Sequence, residues 1–245
     1  MKKGPLRYEG KAKRVYETDD PSLLIMEYKD DATAFNGEKR GTIEGKGAVN
    51  NHMSNVLMRV LADMGVPTHF VSELGERETL VRAVEIVPLE VIVRNAAAGS
   101  FATRYGVPEG VAFLEPTIEF SYKNDALGDP LINASHVRAL GLATASEIDR
   151  MKKLALLIDN ILVGFWEGRG VRLVDFKVEF GRTSDGQIIL ADEISPDTCR
   201  LWDAATGAHL DKDRFRRDLG DVREGYAEAL RRLELADSDR SQERS

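Results

Sequence analysis

Val171 to Asp203 reads VRLVDFKVEFGRTSDGQIILADEISPDTCRLWD, and its alternation decides the fold. Side chains two apart share a face of a strand. Val174, Phe176 and Val178 therefore fall on one face, and Asp175, Lys177 and Glu179 on the other. Asp185-Gly186 is a two-residue turn signal, and Gln187 to Ile194 supplies the returning strand. With a two-residue loop, Glu179 lies opposite Asp192, and like charges directly across a ladder repel. Lys177 alone does not balance Asp175, Glu179 and Asp192. A divalent cation would, and Mg²⁺ takes one or two carboxylates together with substrate phosphates. The solvated outer face of an antiparallel hairpin accounts for the same charges, and a register slip of one residue would separate the pair.

Leu6 to Thr18 alternates around Gly10 and reads as strand, turn, strand. With Leu23 to Tyr28 it predicts an antiparallel N-terminal sheet. Lys11 and Lys13 project to one side of a strand beside the glycine turn, which suits phosphate and also suits a plain hairpin with solvated lysines. Ala34 to Asn51 holds four glycines and no apolar period. It is expected to be a mobile loop over an active site, leading into a helix. Gly follows Lys46 where a P-loop needs Ser or Thr, so this is not a Walker P-loop, and the missing GxGxxG fingerprint argues against a Rossmann site.

Val49 to Met64 predicts a helix with Val56, Leu57, Val60, Leu61 and Met64 inward and His52 outward. Phe70 to Val87 supplies strands around Glu76-Arg77-Glu78. A hinge over Arg82 to Pro88 divides an N-terminal lobe, residues 1–86, from a larger lobe, residues 87–245.

Val87 to Phe101, VPLEVIVRNAAAGSF, places Val91 and Val93 on one face and Glu90, Ile92 and Arg94 on the other. Ser100 is positioned as the N-cap of a short helix. A helix N-terminus beside Arg94 makes an anion pocket, or simply a capped strand-to-helix connection. Thr144 to Glu147 matches a capping box for a helix reaching Trp166, with Leu154, Leu157, Ile158, Ile161 and Phe165 buried. Lys212 to Leu235 predicts a last amphipathic helix with Phe215, Leu219, Val222, Tyr226, Leu230 and Leu233 inward. Residues 236–245 are expected to be disordered.

The 245 residues suffice for one large domain or two small ones. An apolar fraction of 42% and a charged fraction of 31% fit a soluble protein. A net charge of −7 argues against a general nucleic-acid binder and leaves room for local basic sites. Cys199 is the single cysteine, which excludes an internal disulfide and a cysteine zinc cluster. No apolar run approaches the roughly 20 residues of a membrane span, and the N-terminus lacks the apolar segment of a signal peptide. The cytoplasm is therefore the expected location.

Three segments together resemble the SAICAR synthetase family of purine biosynthesis. They are Val87 to Arg94 with Gly99-Ser100, the run LVDFKVEFG from Leu173 to Gly181, and Ser195-Pro196-Asp197 with Arg200-Leu201-Trp202-Asp203. The resemblance runs from Tyr8-Glu9-Gly10-Lys11-Ala12-Lys13 to the terminal helix; position 36, Asn here, is Asp in some members. It implies ATP-dependent ligation of L-aspartate to the carboxylate of carboxyaminoimidazole ribonucleotide (CAIR), giving SAICAR, ADP and phosphate. The implied fold is a two-lobed α+β architecture similar to ATP-grasp and kinase folds, with an antiparallel N-terminal sheet. By motif, Lys11 and Lys13 would hold ATP phosphates, the backbone near Arg82 and Val84 would meet adenine, and Glu179 and Asp192 would bind Mg²⁺. Arg94, Ser100 and Arg200 would hold the ribonucleotide phosphate, and Asp175, Lys177 and Asp197 would surround its imidazole and carboxylate. The resemblance also implies a homodimer. The rival readings are a small-molecule kinase that phosphorylates a hydroxyl and a regulatory protein that senses nucleotides without turnover.

Overall fold

A computed structural model describes residues 2–34 and 37–242. Strand β1 (Lys3–Glu9) turns through Gly10, Lys11 and Ala12 into β2 (Lys13–Thr18), and β3 (Leu23–Tyr28) follows, as the alternation predicts. The turn is closed by the Gly10 N–H donating to the Lys13 carbonyl at 2.8 Å. Lys11 therefore sits in the turn, and of the two lysines Lys13 alone belongs to a strand.

The glycine-rich stretch after it is more regular than expected. Strand β4 (Asp31–Ala34) pairs with β5 (Lys39–Thr42), and helix α1 (Lys46–Asp63) starts well before Asn51. A four-residue strand is too short to show a period, which is why this pairing is hidden in the sequence. Gly45, at φ 81°, precedes the helix. Gly47 lets it approach the first sheet, since a Cβ there would stand 2.7 Å from the Tyr28 carbonyl oxygen. Asn36 lies outside the described residues. Strands β6 (Phe70–Gly75) and β7 (Glu78–Arg82) form the hairpin around Glu76-Arg77. The first sheet is antiparallel throughout, in the order β1-β2-β3-β7-β6.

The second sheet begins with β8 (Glu85–Ala96), followed by α2 (Gly99–Tyr105), β9 (Ala112–Tyr122), β10 (Leu131–Ile132) and α3 (Ala134–Ala139). Helix α4 (Ala145–Glu167) leads into β11 (Val171–Arg182), β12 (Ile188–Ala191) and β13 (Cys199–Asp203). The order is β10-β9-β8-β11-β12, with β13 also paired to β11, and every pairing is antiparallel. The long strand β11 is thus the centre: β8 lies along one edge, and β13 and then β12 share the other.

Val87, Leu89, Val91 and Val93 of β8 and Phe176, Val178 and Phe180 of β11 enter one core with α1 and α4. Val174 does not share that face. A bulge between Leu173 and Asp175 resets the alternation, and Val174 packs with Ala96 and Ala98 instead. Thr144 caps α4 through the expected box with Glu147. The seam of α4 runs through Ile148, Met151, Leu154, Ala155, Ile158, Leu162 and Trp166. Leu157 is left 39% exposed, and Ile161 and Phe165 are half-buried. Adjacent apolar residues at 157–158 and 161–162 allow either face on period alone, and packing on the sheet decides.

The last predicted helix is two. Helix α5 (Asp213–Arg216) stops before Asp218, Gly220 and Asp221, whose φ angles are positive, and α6 (Val222–Gln242) restarts beyond them. Leu219 is exposed in the break, while Tyr226 and Leu233 are buried. Helix α6 continues past Ala236, so the disorder expected there is replaced by helix as far as Gln242; residues 243–245 lie outside the described residues.

Candidate active site

The outer face of β11 is not solvated: Asp175 and Glu179 are 4% and 2% exposed. Arg94, Ile92 and Glu90 of β8 stand opposite Asp175, Lys177 and Glu179. Buried charges need partners, and each finds them. Arg94 donates to Asp175, and to Glu119 at 2.8 Å. Arg200 of β13 donates to Asp175 Oδ2 at 2.8 Å and to Asp213 at 2.8 Å. Lys177 donates to Glu90 at 2.7 Å and lies 3.5 Å from Glu179. Burial opposes the charge on Lys177, but Glu179 and Glu90 outweigh it and push its ammonium above the usual lysine range.

The hairpin after β11 is closed differently from expectation. Glu179 pairs with Ala191, and Arg182 with Ile188. The Thr183 N–H donates to the Gln187 carbonyl at 3.0 Å, leaving the three-residue loop Ser184-Asp185-Gly186 with Gly186 at φ 80°. The third residue of such a loop takes the left-handed conformation, which glycine supplies. Asp192 therefore stands just past the strand, at φ 60°. The turn there still brings it to the cleft that holds Glu179. Asp192 pairs with Lys13 from β2, and Glu179 with Lys123 from the end of β9. Burial alone would raise the Asp192 carboxyl, but Lys13, Lys177 and Lys123 hold it well below the usual carboxylate range.

Two adjoining cavities open between the sheets. The larger, about 880 Å³, is walled by Lys11 and Lys13 from the first sheet, apolar Val15 and Met26, and Lys123, Glu179 and Asp192 from the second. The smaller, about 370 Å³, is walled by Arg94, Asp175, Arg200 and Arg216. Lys11, Lys177, Asp197 and Lys212 border both. Carboxylate oxygens of Glu179 and Asp192 facing one groove suit a hard cation such as Mg²⁺.

Nine of the twelve singled-out residues thus border these cavities: Lys11, Lys13, Arg94, Asp175, Lys177, Glu179, Asp192, Asp197 and Arg200. Arg82, Val84 and Ser100 do not. The Arg82 guanidinium donates to the Thr68 carbonyl, and the Arg82 backbone N–H donates to the His69 carbonyl at 2.7 Å. Val84 packs on Gly181, where a Cβ would meet it at 2.3 Å. Ser100 is not the N-cap of α2; Ala98 is, and the Ser100 hydroxyl accepts from Arg94 at 3.4 Å. Sequence reasoning missed Lys123, Glu193 and Lys212. Lys123 lies 56 residues from its partner Glu179, and no local spacing signals such a pair.

Two adjoining cavities with Lys11, Lys177 and Lys212 on their common border suit an enzyme that brings two anionic ligands together on an α+β scaffold. The model of the SAICAR synthetase family matches residues 6–233. A phosphoribosylaminoimidazole-succinocarboxamide synthase from Lachnoclostridium phytofermentans is 61% identical over 233 residues, 95% of this chain and 99% of its own. The crystal structure of the synthase from Ehrlichia chaffeensis is similar at a TM-score of 0.92 and 46% identity, covering 94% of this chain and 98% of that one. A SAICAR synthetase in complex with ADP is similar at a TM-score of 0.90 and 47% identity, covering 93% and 97%. The chain belongs to the SAICAR synthetase family and is a ligase of purine biosynthesis.

Proposed function

We propose that the groove between the two sheets is where this ligase joins L-aspartate to the carboxylate of CAIR, with ATP converted to ADP and phosphate. The observation that carries the assignment of sites is Lys177. It borders both cavities, with Glu179 and Asp192 on one side and Arg94, Asp175 and Arg200 on the other. ATP occupies the larger cavity on the N-terminal lobe, residues 1–86. Its phosphates meet Lys11 and Lys13, and its base lies toward Val15, Met26 and the backbone of residues 82–84. The ADP complex of the relative supports a nucleotide ligand. Glu179 and Asp192 would hold Mg²⁺, which when bound offsets the charge of the triphosphate. The ribonucleotide occupies the smaller cavity, walled mainly by residues 87–245, its phosphate held by Arg94 and Arg200, with Ser100 behind Arg94.

A carboxylate acylates poorly because its leaving oxygen is strongly basic. Its oxygen attacks the γ-phosphorus, ADP leaves, and an acyl phosphate forms. The amine of aspartate then attacks the acyl carbon, loses a proton, and phosphate leaves. Lys177 lies where the carboxylate and the γ-phosphate approach and offsets their repulsion. Asp175 and Asp197 border the substrate, and Asp175 also keeps Arg94 and Arg200 in place.

Incubation with ATP, CAIR and aspartate tests the reading. Sustained ADP release over many turnovers should require aspartate and match SAICAR formation mole for mole; sustained release without aspartate, with a stable phosphorylated product, would mark a kinase. ¹⁸O in the CAIR carboxylate should appear in the released phosphate, and its absence would remove the acyl phosphate. On the resemblance we also infer a cytoplasmic homodimer, which light scattering of the purified chain tests at about twice the mass of 27.2 kDa. No helix among the described residues is long and apolar enough to cross a membrane.

A further inference from the structure

Helix α1 turns a buried polar face toward the groove, and the roles above do not use it. Lys46, in its first turn, is 1% exposed, and its ammonium lies 2.9 Å from Asp197 Oδ2. The phenol of Tyr226 on α6, also 1% exposed, donates to Asp197 Oδ1 at 2.6 Å. Lys212 reaches Oδ2 at 3.2 Å. Two turns along α1, on the face of Lys46, the Ser54 hydroxyl accepts the Ile194 N–H at 3.3 Å. The helix therefore grips the segment Ile194 to Asp197 at both ends.

That segment feeds directly into the substrate wall. The Thr198 carbonyl accepts the Lys177 N–H at 2.8 Å. Cys199 pairs with Phe176 and Arg200 with Asp175. Any swing of Asp197 is passed to the two cations assigned to the ribonucleotide. A buried Lys–Asp pair is a weak source of stability, because desolvation offsets its attraction and apolar residues of similar volume often serve as well. Such a pair does set direction, because each carboxylate oxygen must face its own donor. Burial opposes the charge on Asp197, yet Lys212, Lys46 and Tyr226 keep it ionised.

We propose that Lys46 and Tyr226 are positioning residues of the ligase: by clamping the two oxygens of Asp197 from α1 and α6, they fix residues 195–200 and so hold Arg200 and Lys177 in register with the ribonucleotide. This rests on the assignment of the smaller cavity to that substrate.

Tyr226→Phe removes one oxygen and keeps the ring, and Lys46→Met keeps length while removing charge. Each should lower kcat/KM for CAIR roughly tenfold or more while KM for ATP stays within about twofold. Adding Tyr226→Phe to Asp197→Asn should cost no more than about twofold further, since both act through one contact. Full multiplication of the two effects would overturn the proposal. Hydrogen exchange without substrates gives a readout that does not depend on turnover. The Thr198 and Cys199 amides, which donate to the Ser195 carbonyl at 3.0 and 2.9 Å, should exchange faster in Tyr226→Phe, and amides of β2 and β3 should not. Unchanged exchange at Thr198 and Cys199 would overturn the clamp whatever the activity. Unmodified protein that forms no SAICAR would instead overturn the ligation reading and leave the exchange result to judge the clamp.

Discussion

Glu179 faces Ala191 across the central hairpin, and Asp192 comes one residue later in the left-handed region. The two carboxylates share a groove without sharing a rung of the ladder. The offset separates the like charges, and Lys123 and Lys13 each neutralise one of them. The strain of a positive φ at a residue other than glycine is tolerated best by Asn and Asp. Asp192→Asn keeps a residue that tolerates this φ but removes the charge facing Lys13, so it should lower the unfolding midpoint by several degrees while lowering SAICAR formation by about 100-fold or more. Paired thermal melts and turnover assays check it, and equal activity would remove Asp192 from the site.

Arg94 is 3% exposed between Glu119, Asp175 and Ser100. Arg94→Ala should raise KM for CAIR roughly tenfold or more and leave KM for ATP nearly unchanged. It should also cost stability, about 3–5 kcal/mol, by leaving buried Asp175 and half-buried Glu119 each short of a partner. Steady-state kinetics with each substrate varied, together with urea unfolding, separate these effects. An effect confined to ATP would mean the two cavities are assigned the wrong way round.

Gly181 lies against Val84, and a Cβ there would stand 2.3 Å from the valine Cγ2. Gly181→Ala should destabilise by about 1–3 kcal/mol through overpacking, and Val84→Ala in the same chain should recover only part of that, because the Cβ of residue 84 would still stand 2.7 Å from the new methyl. A double-mutant cycle by urea unfolding measures the coupling. Additive losses would show that the connector at residues 83–84 gives way freely.

Glu147 bonds Arg182 and caps α4, and these contacts, opposed by partial burial, lower its carboxyl to about 2. Its unfolded value is about 4.3. A carboxyl depressed in the fold contributes stability that is present above the unfolded value and is lost as pH falls toward 2. Glu147→Gln should flatten the fall in stability between about pH 4.5 and pH 2 and leave the slope above pH 6 unchanged. Unfolding free energies measured across that range decide it.

Much of this was legible in the sequence because local chemistry and tertiary packing agree there. The alternation of β8 and β11, the capping box at Thr144 and the hairpin around Gly10 all stand as their residues imply. The register of the central hairpin did not, because Asp185-Gly186 signals a turn without stating whether Ser184 belongs to it. The bulge at Val174 and the break at residues 217–221 depend on partners that local period does not reveal. The residues that border the candidate groove were visible where they sit in continuous motifs. Lys46 was not, since its partner Asp197 lies 151 residues away and a lysine in a first helical turn ordinarily faces water.

The most direct test is the Mg²⁺ dependence of aspartate-requiring ADP release in Glu179→Gln beside the unmodified protein. The account predicts that this substitution lowers turnover by about 100-fold or more and moves half-saturation to higher Mg²⁺, because one of the two carboxylates that would hold the ion loses its charge. Unchanged turnover with an unchanged Mg²⁺ titration would contradict it.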